Sequence, residues 1–332
     1  MEYVTGGNSE TWHPVITANT MLATYWLNWR FVLCTIWVLL SVTIASILIW
    51  KHERPATGDG DGSWQDGKRV QEPEPTLYSD ETWRPCLHGI HPAWLLLFRA
   101  FAFLMLLVLL VFAVLIDGSS LFYYYTQWTF TLVTIYFGLG VVLSMNGCLL
   151  HHKLSQGDKI VSNEAGLEQG HSHTVSNRFS QPATRLDYAF QIIYQVNAGA
   201  VMLTDCVFWF IMVPFLTSKD YHLSALTISM HSMNAVFLYG DAIMNCLSFP
   251  WFRIAYFFLW TIVYVLFQWI LHSSFDIWWP YPFLDLSSSY SPLWYLMVGV
   301  MHLPCYGVFS LIVKAKQFLL SKRFPNSYQR FH

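Results

Sequence analysis

Residues 31–50 read FVLCTIWVLLSVTIASILIW, an apolar run without a single charge. A bilayer core about 30 Å thick needs about 20 such residues at a helical rise of 1.5 Å each. This stretch is long enough to cross a membrane, and six others repeat its pattern: 93–116, broken only by Arg99, then 121–150, 188–216, 223–246, 252–271 and 293–313. The stretch 223–246 is the most polar of them, with His231, Asn234, Asp241 and Asn245, and it is kept because the charge distribution described below requires it. Of the 332 residues 55% are apolar and only 11% are charged, against roughly 25% charged in a soluble domain. That hydrophobicity, with a net charge of −2, excludes intrinsic disorder. It also leaves no basic face for nucleic acid. The expected fold is all-α, a polytopic membrane bundle of seven transmembrane helices.

Orientation follows from Lys and Arg, which concentrate in cytoplasmic loops. With seven spans, fifteen of them fall on the side of loops 51–92 and 151–187, Arg253 and the tail, and two, Arg30 and Lys219, fall opposite. The N-terminus is therefore expected outside or in a lumen and the C-terminus in the cytoplasm. No apolar run precedes residue 31, so the first span is expected to act as its own signal and anchor. The organisation is a non-cytoplasmic segment 1–30, a first span 31–50, a mobile cytoplasmic loop 51–92, two spans in 93–150, a polar cytoplasmic loop 151–187, four spans in 188–313 and a basic tail 314–332. Within 51–92, Pro55 to Gly62 cannot bury a core, and Trp83 to Pro92 is expected to lie along the membrane surface. The tail mixes five basic residues with Phe318, Leu319, Leu320, Phe324 and Phe331, a composition suited to an anionic leaflet.

The six cysteines are scattered, five of them in or at the ends of spans, where a thiol behaves as a small apolar group. No disulfide frame, metal site or cofactor is expected.

Ionisable groups at bilayer depth are costly unless paired or wet, which makes each a functional candidate. Arg99 sits about 9 Å inside its span and is expected to snorkel back to the cytoplasm; His272, at a helix end, is expected at the interface. Asp205, His231, Asp241 and His302 lie deeper, and Asn234 shares a helix face with His231. At the non-cytoplasmic end of the third span, Thr126 and Gln127 match the depth of His231. A hydroxyl and an imidazole together are the minimum for nucleophilic attack on a carbonyl. The same groups also serve as interhelical hydrogen bonds worth about 1 kcal/mol.

The stretches Tyr125-Thr-Gln-Trp and Leu132-Val-Thr-Ile-Tyr-Phe-Gly138 resemble the start of the third span in the Rolling stone-like proteins and the related androgen-induced membrane hydrolases. Met230-His-Ser-Met-Asn234 is similar to their His-x-x-Asn or His-Gly-Met-His motif, and Trp279-Pro-Tyr-Pro-Phe-Leu284 to their Trp-x-Tyr-Pro-Phe-Leu loop. The matches run in order from about Leu121 to Val313, and Tyr-Pro-Phe-Leu is the most distinctive. The resemblance implies a polytopic membrane protein and, in the hydrolase branch, cleavage of fatty acid esters of hydroxy fatty acids by a threonine and a histidine. Thr126 then takes the nucleophile position. The histidine position falls on Asn234 in direct register and on His231 after a slide of three. An asparagine cannot accept the proton, and the His-x-x-Asn form is that of the Rolling stone branch, associated with cell fusion.

The candidate site is thus Thr126, His231, Asn234 and Asp205, with Gln127, His302, Trp279 and Tyr281 around a pocket. Trp278, Trp279 and Tyr281 would form an interfacial belt, stiffened by Pro280 and Pro282, as a cap over a site that a long-chain lipid ester enters sideways. Two readings stand: an ester hydrolase among membrane lipids, or a non-enzymatic membrane organiser or adaptor. A haem-binding electron carrier would need His231 and His302, or the histidines 88, 91, 151 and 152, in matched pairs; a metal transporter would rest on His171 and His173. Endomembrane or plasma membrane, and the oligomeric state, stay open.

Overall fold

A computed structural model describes residues 18–53, 78–164, 183–216 and 223–328. Seven long helices carry the chain: α1 Trp29–His52, α2 Pro92–Asp117, α3 Tyr125–Glu164, α4 Arg185–Val207, α5 Ala225–Met244, α6 Ile254–Ser274 and α7 Ser291–Arg323. Wider helical turns at Phe208–Leu216 extend α4, with Pro214 inside them. The helix starts are encoded locally. Asn28 caps α1 by accepting from the amides of Arg30 and Phe31, Pro92 opens α2, Thr184 and Asp187 cap α4 reciprocally, and Ser224 caps α5. Each satisfies amides that the first helical turn leaves unpaired.

Among the described residues six helical segments are long and apolar enough to cross a membrane: Trp29–His52, Pro92–Tyr123, Tyr125–Gln156, Arg185–Phe215, Trp251–Ser274 and Ser291–Arg323. The described residues are all-α, and these six helices suit a multi-pass integral membrane protein. Leu97, Phe101, Leu104, Val108, Val111 and Leu115 form an exposed stripe on α2, as lipid rather than water would require. The expected stretch 223–246 does form a helix, α5, but its polar residues keep it outside that set of six.

Two cores hold the bundle. One joins α2, α3, α4, α5 and the inner end of α7 through Tyr136, Phe137, Phe190, Tyr194, Phe237 and Phe309. The other joins α1, α6 and α7 to the first turn of α3 and to the segment 275–290 through Tyr125, Phe257, Tyr264, Trp279, Tyr281 and Tyr306.

Two expectations need correction, at Arg99 and at His272. Arg99 does not snorkel: it is fully buried, with Nε 2.7 Å from Asp241 Oδ1. It also donates to Thr82 O at 2.7 Å and Ser144 Oγ at 2.8 Å. A buried ion pair backed by further hydrogen bonds is cheaper than a bent side chain reaching for water past packed helices. The segment after Tyr78 packs against the helices through part of its length. Trp83 and Cys86 are buried under the bundle, the indole filling the space that Gly147 leaves by lacking a Cβ. His272 is buried rather than interfacial, stacked on Trp279 at 3.6 Å and 7°. The stretch Pro55 to Gly62, Lys219, His171 and His173 lie outside the described residues.

Candidate functional site

Gln127 Nε2 reaches Met230 Sδ at 3.6 Å, so α3 and α5 meet at the depth expected for Thr126 and His231. Successive helical residues point about 100° apart, and both members of the expected pair turn away from this seam. Thr126 faces the segment 275–290, where its amide donates to Tyr281 Oη at 3.4 Å. His231 faces α4, where its ring stacks on Phe208 at 3.6 Å and its Nδ1 lies 3.7 Å from Asp205 Oδ1. Asn234 lies within hydrogen-bonding reach of Asp205 as well. The sequence-derived residues therefore fall into two groups, Asp205, His231 and Asn234 between α4 and α5, and Thr126 with Tyr281 under the cap. No hydrogen bond joins Thr126 to His231.

A different hydroxyl and imidazole are joined. His302 Nε2 lies 2.8 Å from Thr261 Oγ1, and His302 Nδ1 lies 2.7 Å from Val298 O. A backbone carbonyl can only accept, so Nδ1 carries the hydrogen and Nε2 presents its lone pair to the threonine. The Thr261 hydroxyl then has two acceptors, Nε2 at 2.8 Å and Phe257 O at 3.3 Å, and with its proton on either of them Tyr125 is the donor to Thr261 Oγ1 at 2.9 Å. Phe257 and Phe258 pack against the imidazole at 4.2 and 4.6 Å. Their π faces suit a transient positive charge on the ring.

Thr261 and His302 line a narrow cleft, open at one side, with a cavity volume of about 60 Å³. Its walls are Trp37, Val38 and Ser41 of α1, Ile262 and Val265 of α6, and Tyr295 and Gly299 of α7, with Phe283 and Leu284 at one end. The lining is largely hydrocarbon with one polar focus, the usual character of a site for an apolar ligand. Gly299 extends the space, since a Cβ there would meet no atom within 4 Å.

The segment 275–290 packs at one end of this cleft. Tyr25 Oη donates to Asp285 Oδ1 at 2.7 Å and accepts from Trp279 Nε1 at 3.1 Å and from the Leu286 amide at 3.0 Å. Tyr295 Oη donates to Leu284 O at 3.2 Å and accepts from Trp269 Nε1 at 2.9 Å. Trp279 and Tyr281 are buried and brace the cap, while Phe283 and Leu284 face the cleft. Of the expected pocket residues His302 lines the cleft, and Gln127 belongs to the α3–α5 seam. Thr261 escaped the sequence reading. Its signal was available, as the single aliphatic hydroxyl in 252–271 and near the mid-depth of His302 on the next antiparallel span.

Among the described residues no group of three or more His, Cys, Asp or Glu stands where it could hold a metal ion. Both ring nitrogens of His302 are engaged, by Thr261 and Val298, His231 stacks on Phe208, and of the histidines 88, 91, 151 and 152 the rings of His91 and His151 meet edge to face at 5.3 Å. No family model, curated protein or solved structure matches this chain.

Proposed function

We propose that this protein is a membrane-embedded hydrolase of long-chain lipid esters, with Thr261 as nucleophile and His302 as general base. The observation that carries the reading is the fixed tautomer of His302, whose basic nitrogen faces a hydroxyl on the wall of an apolar cleft. The motif resemblance to a family whose hydrolase branch uses threonine and histidine supports the same reaction class, though the pair it implies is Thr126 and His231.

In the proposed reaction Thr261 Oγ1 attacks the ester carbonyl as His302 Nε2 takes its proton. The imidazolium is steadied by the Val298 carbonyl and the flanking phenyl rings. Tyr125, already donating to Thr261, is the nearest group able to turn its hydrogen toward the developing oxyanion. The proton then passes from Nε2 to the leaving alcohol, and water activated by the same nitrogen releases the acid. The acyl chain lies against Trp37, Val38 and Ile262.

We further propose that α5 is a seventh crossing, with the N-terminus outside and the C-terminus in the cytoplasm, as the Lys and Arg distribution implies. The membrane supplies the partners, lipid neighbours and a lipid ester substrate.

The test is hydrolysis of a branched long-chain fatty ester by detergent-purified protein. Thr261→Ala and His302→Ala are expected to lose activity by about 10²-fold or more, and Tyr125→Phe by roughly tenfold. Thr126→Ala and His231→Ala should stay near wild type. Loss confined to Thr126→Ala and His231→Ala would move the chemistry to that pair, and no turnover in any protein would favour a membrane organiser.

A further inference from the structure

Cys86 and Cys246 come from stretches 160 positions apart and are brought into contact at the buried end of the bundle. Their backbones are clasped there: Pro85 and Asn245 form an antiparallel bridge, and the Cys86 amide donates to Met244 O at 3.1 Å. The Cys86 thiol donates to Asn245 O at 2.8 Å, the Cys246 thiol lies within reach of the Cys86 sulfur, and both cysteines are free. Lys316 of α7 reaches the same place. Its ammonium is held by Ala242 O at 2.8 Å and Asn245 O at 2.7 Å, with Nζ 3.7 Å from Cys86 Sγ. A lysine anchored by two carbonyls beside one of two touching thiols is the arrangement that favours a thiolate. Cys206 and Cys305 also touch, but their charged neighbour is the Asp205 carboxylate rather than an amine.

We propose that Cys86 and Cys246 are a peroxide-sensitive dithiol, with Cys86 as the attacking sulfur, Lys316 as its activating cation and Cys246 as the resolving thiol. The neighbouring Cys246 thiol and the Lys316 ammonium lower the Cys86 thiol against the opposing effect of burial. The Cys246 thiol is raised, chiefly by its Cys86 neighbour and by burial. The two sulfurs therefore divide the roles.

The Cys86 thiolate attacks one oxygen of a hydroperoxide. An S–O bond forms, the O–O bond breaks, and the second oxygen leaves as water or alcohol once protonated. Cys86 has lost two electrons to the peroxide and is a sulfenic acid. The Cys246 sulfur then attacks Cys86, forming the disulfide as the S–O bond breaks and water departs with the Cys246 proton. The product welds the segment after Tyr78 to the end of α5, beside Asn245, whose side chain donates to Asp241 at 2.7 Å.

The probe is hydrogen peroxide on full-length protein in detergent micelles, followed by peptide mass spectrometry without reduction. The expected product is a Cys86–Cys246 linked peptide. Cys246→Ser should instead accumulate a dimedone-trapped sulfenic acid at Cys86, and Lys316→Met should form the link roughly tenfold more slowly at pH 7. Absence of the linked peptide from the native protein overturns the proposal, whether or not the variants fold. Equal rates in native protein and Lys316→Met overturn the role given to the lysine.

Discussion

Arg99 and Asp241 show what a single side chain is asked to do inside this bundle. The carboxylate receives Arg99, the Tyr136 hydroxyl and the Asn245 amide, and the guanidinium also packs over the Phe190 ring at 5.1 Å. Removing either charge leaves the other buried without its partner, which costs about 3–5 kcal/mol. Arg99→Met and Asp241→Asn should each lower the thermal unfolding midpoint in detergent, and the double variant should recover part of the loss. Additive losses would mean that the pair is not coupled. Glu81 makes a different case at the membrane-external face. Burial, aided by neighbouring Asp80, raises its carboxyl to about 7. A carboxyl raised in the folded state favours folding when protonated, so stability falls as pH climbs from its unfolded value near 4.5 to about 7 and is level above that. Glu81→Gln should therefore stabilise the protein by about 1–3 kcal/mol at pH 8 and by nothing at pH 5, read from unfolding midpoints at both pH values. Neither residue was legible in sequence as it stands in the fold. Arg99 looked like a snorkelling side chain because its acceptor is contributed from 142 positions away.

At the scale of helices, sequence carries depth well and azimuth poorly. Residue counts along a span fixed Thr126 and His231 at one level, and the contact of Gln127 with Met230 shows that the level is shared. The direction each side chain faces depends on how the neighbouring helices are rotated, and no count along one span contains that. Cap residues were easier, because Trp279, Pro280, Tyr281 and Pro282 announce a stiff aromatic turn by composition alone. Two glycines now test the helix packing around the cleft in opposite directions. A Cβ at Gly199 of α4 would overlap the Phe257 ring that packs on His302. Gly199→Ala is expected to separate α4 from α6, lowering stability by about 1–3 kcal/mol and turnover with it. At Gly299 a side chain has room, and replacing glycine within a helix gains about 0.5–1 kcal/mol. Gly299→Leu should leave the unfolding midpoint unchanged or higher while filling the cleft and abolishing ester turnover. A Gly299→Leu protein that hydrolyses its ester at the native rate would place the substrate elsewhere.

For the molecule as a whole, the apolar runs were legible because a bilayer imposes a length and a composition on every crossing. Six helices satisfy that rule unaided. The seventh, α5, satisfies it poorly because Asn234 and Asp241 are buried inward rather than exposed to lipid, a distinction hydropathy averages away. Whether α5 crosses decides the sidedness of the termini. Tags at residue 1 and residue 332 should be accessible from opposite faces of sealed vesicles in a protease-protection experiment. Protection of both from the same face would reduce the crossings to six.

The proposed ester chemistry rests on one hydroxyl in one cleft. An alkyl fluorophosphonate with a long chain, incubated with the protein in detergent, should form a covalent adduct mapped by mass spectrometry to Thr261 and lost in His302→Ala. An adduct on Thr126, or none on Thr261 under conditions where the lipid ester is turned over, would contradict the account.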